Sequence, residues 1–75
     1  KEQCIKNKFG EVLRELRTAQ NLSQEKLALN SGLDRTYISM LERGKRQPSL
    51  TTIFALSNTL KTLPSNMVKL VESSS

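Results

Sequence analysis

Polar and basic side chains are concentrated in the stretch RTYISMLERGKR. Arg35, Thr36 and Ser39 fall at helical spacing, away from the apolar residues of the same stretch. Lys45 and Arg46 follow them. Hydrogen-bond donors backed by positive charge suit a surface that reads base edges and holds phosphates. The alternative interpretation is a solvated helix face that binds nothing.

Composition narrows the classes of protein to consider. A chain of 75 residues forms one small domain, and we expect residues 1–75 to be a single domain with an ordered part over about 6–72. The net charge of +5 favours a polyanionic partner, although many small domains are basic only for solubility. Few apolar residues alternate in the manner of strands, so the composition predicts an all-α fold.

Catalysis and metal binding are poorly supported by the residue types present. The chain has no histidine and one cysteine, Cys4, so it lacks a base for a nucleophile and the ligands of a zinc site. Its three glycines are too dispersed to cradle a phosphate. No apolar run approaches the roughly 20 residues of a membrane span. We therefore expect no enzyme activity and no cofactor.

Apolar periodicity and turn residues predict five helices, over about residues 8–20, 24–30, 35–43, 50–61 and 66–71. Ser23, Asp34 and Ser49 stand at positions suited to cap the second, third and fourth helices. The inward-facing residues of these helices form the expected core: Phe9, Leu13, Leu16, Leu27, Ile38, Leu41, Ile53, Leu56 and Leu60.

The second and third helices, with a glycine-containing turn between them, follow the pattern of a helix-turn-helix over about residues 24–43. In such a unit the first helix lies across the DNA backbone. The N-terminal half of the second enters the major groove, where its exposed residues meet base edges.

The segments LSQEKLA, SGL, YIS and LERGKRQPSL resemble the Cro/phage-repressor type (Xre-like) of helix-turn-helix regulator, and the resemblance covers about residues 9–70. The segment DRTYIS is also similar to the recognition helix of restriction–modification controller proteins, which are small dimers. The resemblance implies a compact five-helix, lambda repressor-like domain that binds a palindromic operator as a homodimer and regulates transcription. It also implies a cytoplasmic protein of bacterial or phage origin.

The resemblance assigns roles to individual residues. Arg35, Thr36 and Ser39 occupy base-reading positions, and Arg35 can pair with guanine in a bidentate manner. Met40 stands where some repressors carry a base-reading glutamine. The resemblance implies phosphate contacts for six residues: Ser23, Gln24, Tyr37, Arg43, Lys45 and Arg46. For each of these residues the alternative is an ordinary solvent-facing side chain.

Two further features have structural interpretations. The resemblance places Arg17 against Glu42, in an ion pair that would hold the third helix to the first; two independent surface charges are the alternative. The C-terminal segment over about residues 65–72, which contains the fifth helix, is rich in apolar residues and is a candidate homodimer surface. The expected interface residues are Leu63, Met67, Leu70 and Val71, unless they close the core of a single chain.

Two other functions remain open from the sequence. The chain could be the antitoxin of a toxin–antitoxin pair that binds both operator DNA and a toxin. It could also be a helix-turn-helix module used for protein interaction only. RNA polymerase is a further candidate partner of a transcriptional regulator.

Overall fold

The structure, a computed structural model, describes residues 2–74, and within them it contains five α-helices and no strand. The helices are α1 (Glu2–Ala19), α2 (Gln24–Ser31), α3 (Arg35–Glu42), α4 (Leu50–Thr59) and α5 (Pro64–Ser74). The predicted all-α, five-helix fold is confirmed. Within the described residues, none of the helices has the length and apolar character needed to cross a membrane.

Two of the three predicted helix caps form as expected. The Ser23 hydroxyl accepts a hydrogen bond from the backbone N–H of Lys26, and Ser49 does the same for Thr52. Asp34 occupies the N-cap position of α3, but its side chain makes no capping hydrogen bond, so this detail of the prediction is wrong. Its extended backbone begins the helix instead, because its carbonyl accepts from the N–H of Ile38 at 3.0 Å.

The helix boundaries differ from the predicted ones at both ends of the chain. Helix α1 begins at Glu2 rather than near residue 8, and its first turn is bound to the rest of the domain by the hydrogen bond from Gln3 to the Gly44 carbonyl oxygen. Helix α5 extends to Ser74, past the predicted ordered limit. Helix α4 ends at Thr59, before the predicted residue 61. Residues 1 and 75, which the predicted domain includes, lie outside the described part.

One apolar core joins all five helices. Leu16 and Ile53 are half-buried and pack against this core. The other predicted core residues are buried, and Ala28 and Met67 join them in the same cluster. Helix α1 packs on α3 and α5, and α2 packs on α3 and α4.

Gly10 allows α1 to approach the end of α3 very closely. A Cβ at this position would lie 2.6 Å from the carbonyl oxygens of both Leu41 and Glu42, which is far inside van der Waals contact. Any residue larger than glycine would therefore push the two helices apart. This contact fixes how α3 sits on the rest of the domain.

Candidate nucleic-acid interface

The α2–α3 unit has the geometry of a helix-turn-helix. The chain turns at Gly32, whose φ is 74°, and the N–H of Leu33 returns to the carbonyl of Ala28 at 3.0 Å. Leu27 of α2 and Ile38 of α3 are completely buried in the common core. The inner faces of the two helices are thus held together, and their outer faces are available to a partner.

The outer face of α3 carries the residues predicted to read bases. Arg35 and Thr36 are exposed in its first turn, and Ser39, one turn later, is half-buried. Met40 is also half-buried. An α-helix with its side chains is about 10–12 Å across, and the major groove of B-DNA is about 12 Å wide. The size and polarity of this face therefore match the groove.

The N-terminus of α2 lies beside the start of α3. One open cleft is lined by Arg17, Ser23, Gln24, Glu25 and Arg35. The first turn of a helix presents backbone N–H groups without partners inside the helix, and these groups favour an anion. The Ser23 hydroxyl that caps α2 still has its own hydrogen to donate. The structure thus brings a predicted base-reading residue together with two predicted phosphate-binding residues.

The carboxylate of Glu42 is completely buried and accepts hydrogen bonds from three side chains. Arg17 donates from Nε to Oε2 at 2.6 Å and from Nη2 to Oε1 at 3.0 Å. Arg14 Nε and Gln24 Nε2 donate to Oε1 at 3.3 Å and 3.0 Å. The ion pair expected between Arg17 and Glu42 is therefore present in the structure.

These contacts change the acid–base properties of the pair. Burial alone would raise the pKa of Glu42, but the hydrogen bonds from Arg17, Gln24 and Arg14, with the charge of Arg17, outweigh it and lower this pKa. The hydrogen bond to Glu42 likewise raises the pKa of Arg17. Both groups stay charged at neutral pH. One amide N–H of Gln24 donates to Glu42, and the second N–H is available to a phosphate. The phosphate contact expected for Gln24 stays a prediction.

Tyr37 connects α3 to the start of α4. Its hydroxyl lies 3.2 Å from the Thr52 hydroxyl, which also accepts a hydrogen bond from Ser49 at 2.9 Å. The guanidinium carbon of Arg46 lies 5.7 Å from the centre of the Tyr37 ring, within the range of a cation–π interaction. The Tyr37 hydroxyl thus already has one hydrogen-bond partner inside the domain. The phosphate contact expected for it stays a prediction.

The remaining predicted phosphate-binding residues lie at the C-terminal end of α3. Arg43, Lys45 and Arg46 are all exposed. Arg43 Nε donates to the carbonyl of Ser39 at 3.3 Å, along its own helix. Gly44 is buried between these cations and has a φ of 71°, a left-handed conformation that glycine adopts without strain. Positive charge therefore borders the exposed face of α3 at the end opposite Arg35.

The apolar residues of the C-terminal segment separate into two groups. Met67 has no exposed surface because it completes the core of the single chain, so its predicted place in a dimer interface is wrong. Val71 is half-buried and packs against the core. Leu63 is 68% exposed and Leu70 is 37% exposed, and both could meet a second chain. Of the four expected interface residues, only Leu63 is mostly exposed, and Leu70 is about one third exposed.

Leu50 and Phe54 of α4 are exposed apolar residues that the predicted interface lacked, and Val68 of α5, which was not among the four expected residues, is exposed near them. Phe54 and Pro64 line two adjoining surface grooves, one of which also contains Leu50 and Val68 and the other Leu63. We call Leu50, Phe54, Leu63 and Val68 the α4–α5 apolar face. The sequence contained a signal that Phe54 is exposed. It directly follows the inward-facing Ile53, and neighbouring residues of a helix point in different directions.

Known proteins are similar to this chain in sequence and in fold. The helix-turn-helix family model matches residues 13–65. Control protein C.BamHI from Bacillus amyloliquefaciens is 44% identical over 61 residues, which cover 80% of this chain and 75% of that protein.

Two solved controller proteins superpose closely on the fold. The restriction–modification controller protein C.AhdI from Aeromonas hydrophila is 52% identical, with a TM-score of 0.81 over 83% of this chain and 94% of that one. The controller protein C.Esp1396I, solved as a tetramer with its natural 35 base-pair operator, is 28% identical, with a TM-score of 0.82 over 92% of this chain and 91% of that one. The chain belongs to the helix-turn-helix family of transcriptional regulators, in the group formed by the restriction–modification control proteins.

Proposed function

We propose that this protein binds a palindromic DNA operator as a homodimer and controls transcription within a restriction–modification system. The observation that carries the proposal is the exposure of Arg35 and Thr36 in the first turn of α3, where Arg35 also lines the cleft at the start of α2. A helix-turn-helix contacts bases and backbone with these two regions. The operator complex of the related C.Esp1396I supports the same mode of binding.

The exposed residues divide into two tasks. Arg35, Thr36 and Ser39 read base edges from within the major groove. Six residues around them hold phosphates: Ser23, Gln24, Tyr37, Arg43, Lys45 and Arg46. This division follows from position for most of the residues: Ser23 and Gln24 lie beside the N-terminal end of α3, and Arg43, Lys45 and Arg46 lie at its C-terminal end. Tyr37 lies within α3, with its hydroxyl directed to the start of α4.

The α4–α5 apolar face is the proposed contact between the two copies. Its members are large, apolar and at least half exposed: Leu50, Phe54, Leu63 and Val68. A second copy related by a two-fold axis would cover the same face on both chains, as in an isologous dimer. The tetrameric assembly of C.Esp1396I supports self-association. To enter successive major grooves, the two α3 helices of such a dimer must lie about 34–36 Å apart, one turn of DNA.

The proposed regulator acts without catalysis and without a cofactor. It works where bacterial DNA lies, in the cytoplasm. Its activity at a promoter depends on how the operator is placed relative to RNA polymerase, which is the second proposed partner.

Selection of bound sequences from a random duplex library tests the proposal. We expect enrichment of two inverted half-sites with a fixed spacing. Affinity for the selected duplex should fall steeply with salt, because each phosphate contact releases counterions. The double variant Arg35→Ala/Thr36→Ala tests the assigned readers and should lose most of the sequence preference, because of the three only Ser39 remains. Absence of binding at low salt would contradict the proposal and favour a protein-interaction module.

A further inference from the structure

Five residues of α1 form a stripe that lies along the end of α3. Gln3, Asn7, Gly10, Arg14 and Arg17 are separated alternately by four and three residues, so they share one side of the helix. Arg14 and Arg17 bind the Glu42 carboxylate. Gly10 packs directly against the carbonyl groups at the end of α3. Gln3 and Asn7 extend the contact beyond α3, to the turn at Gly44 that precedes Lys45 and Arg46.

Gln3 and Asn7 hold the turn at Gly44. Gln3 Nε2 donates to the carbonyl oxygen of Gly44 at 2.9 Å and to Asn7 Oδ1 at 3.0 Å. The Asn7 side chain fills the place that a Cβ of residue 44 would need. The side chains of α1 thus occupy the space beside Gly44 and bind its only backbone acceptor.

The peptide group between Gly44 and Lys45 is held from both sides. Gln3 donates a hydrogen bond to the carbonyl oxygen of this peptide group. The N–H of the same peptide group, which belongs to Lys45, donates to the carbonyl of Met40 at 2.8 Å. A peptide group is planar, so fixing both of its polar atoms fixes its orientation. The Cα of Lys45, from which its side chain leaves the backbone, belongs to the same plane and is therefore also held in place. Arg46 is held next, over the Tyr37 ring.

We propose that Gln3 and Asn7 are positioning residues for DNA binding, a proposal that rests on the function proposed above. They act through the Gly44–Lys45 peptide and keep Lys45 and Arg46 arranged to meet phosphates. A turn that contains glycine has many accessible conformations, and ordering them on binding costs entropy. The contacts from α1 order the turn before DNA arrives. The start of α1 thereby contributes to affinity from the side of the domain away from Arg35.

A double-mutant cycle tests the proposal. Affinity for the selected operator duplex is measured at one salt concentration for Gln3→Ala, Arg46→Ala and the variant with both changes. A parallel cycle pairs Gln3→Ala with Arg35→Ala. Asn7→Ala provides a second disruption of the same contact. The matched control is Cys4→Ala, an uncharged change at an exposed neighbouring residue. Thermal unfolding checks that each variant is folded.

We expect Gln3→Ala to weaken binding about 2- to 10-fold, the range that corresponds to one hydrogen bond, and Cys4→Ala to leave it unchanged. Arg46→Ala should cost less affinity when Gln3 is already replaced, because the loss of order is shared. The Gln3 and Arg35 changes should be additive. Additive effects in the Arg46 cycle, or equal coupling in both cycles, would overturn the positioning role. Failure of the unmodified protein to bind any duplex would instead overturn the proposed function.

Discussion

Arg17 donates two hydrogen bonds to the buried carboxylate of Glu42, at 2.6 Å and 3.0 Å, and a third to the carbonyl of Leu22 at 2.8 Å. Gln24, in the first turn of α2, donates to the same carboxylate. One acidic group at the end of α3 therefore connects α3 to α1 and to the start of α2. The distance between the proposed base-reading residues and the proposed phosphate-binding residues of α2 depends on this group.

The first prediction concerns the contribution of the ion pair to stability. Glu42→Gln should lower the free energy of unfolding by about 3 kcal/mol at pH 7, because it leaves the guanidinium of Arg17 without its counter-charge in a largely buried place. Urea unfolding followed by circular dichroism measures the change. Glu11→Gln, an exposed change on the outer side of α1, should have little effect. Equal effects of the two changes would contradict the assigned role.

The second prediction concerns pH. The folded pKa of Glu42 lies below the ordinary value of 4.5, so the folded state binds its proton less readily than the unfolded state. The resulting stabilisation is complete above pH 4.5 and is lost as the pH falls from there through the folded pKa. The stability difference between the unmodified protein and Glu42→Gln should therefore narrow in acid. Unfolding curves at pH 7 and at about pH 3 measure it, and a constant difference would argue against the shift.

The third prediction separates base reading from phosphate binding. Arg35→Ala should relax the base preference at one position of each half-site, where a bidentate pair with guanine provides about 1–3 kcal/mol of discrimination. Lys45→Ala should weaken binding to all sequences and reduce the slope of log affinity against log salt by about 1. Binding titrations on matched and mutated duplexes distinguish these effects. An unchanged preference in Arg35→Ala would mean that Arg35 contacts a phosphate.

The fourth prediction concerns self-association. Val68→Asp and Leu63→Asp place a charge on the α4–α5 apolar face and should yield folded monomers that bind the operator weakly. Met67→Asp should unfold the protein instead, because this side chain is buried in the core. Analytical ultracentrifugation with circular dichroism separates the outcomes. A stable dimer in both surface variants would place the interface elsewhere.

The fifth prediction tests the close approach of α1 and α3. Alanine is normally about 1 kcal/mol more favourable than glycine inside a helix, but Gly10→Ala should destabilise the domain by about 1–3 kcal/mol, because the added methyl group overlaps two carbonyl oxygens. Thermal unfolding measures the sign of the change. A stabilised Gly10→Ala protein would show that the two helices can separate at little cost.

Much of the candidate site follows from local sequence signals. Ser23 and Ser49 cap helices because a hydroxyl one residue before a helix reaches its first N–H groups. The spacing of Ile38 and Leu41 turns one side of α3 inward and leaves Arg35 and Thr36 outside. These features depend on neighbours a few residues apart, so the order of residues alone is enough to predict them.

Other features depend on contacts between residues far apart in the chain. In the sequence, Met67 and Leu63 are two similar apolar residues of one segment. In the folded domain, Met67 is buried by packing against the other helices, whereas Leu63 remains exposed. The start of α1 lacks a strong helical pattern, and its contact with Gly44 joins residues that are 41 positions apart. The sequence by itself determined the helix-turn-helix and its outward-facing residues, because helix periodicity and capping are local. The tertiary structure decided which apolar surface remains for a partner and how α1 supports the turn after α3, because both depend on burial summed over the whole domain.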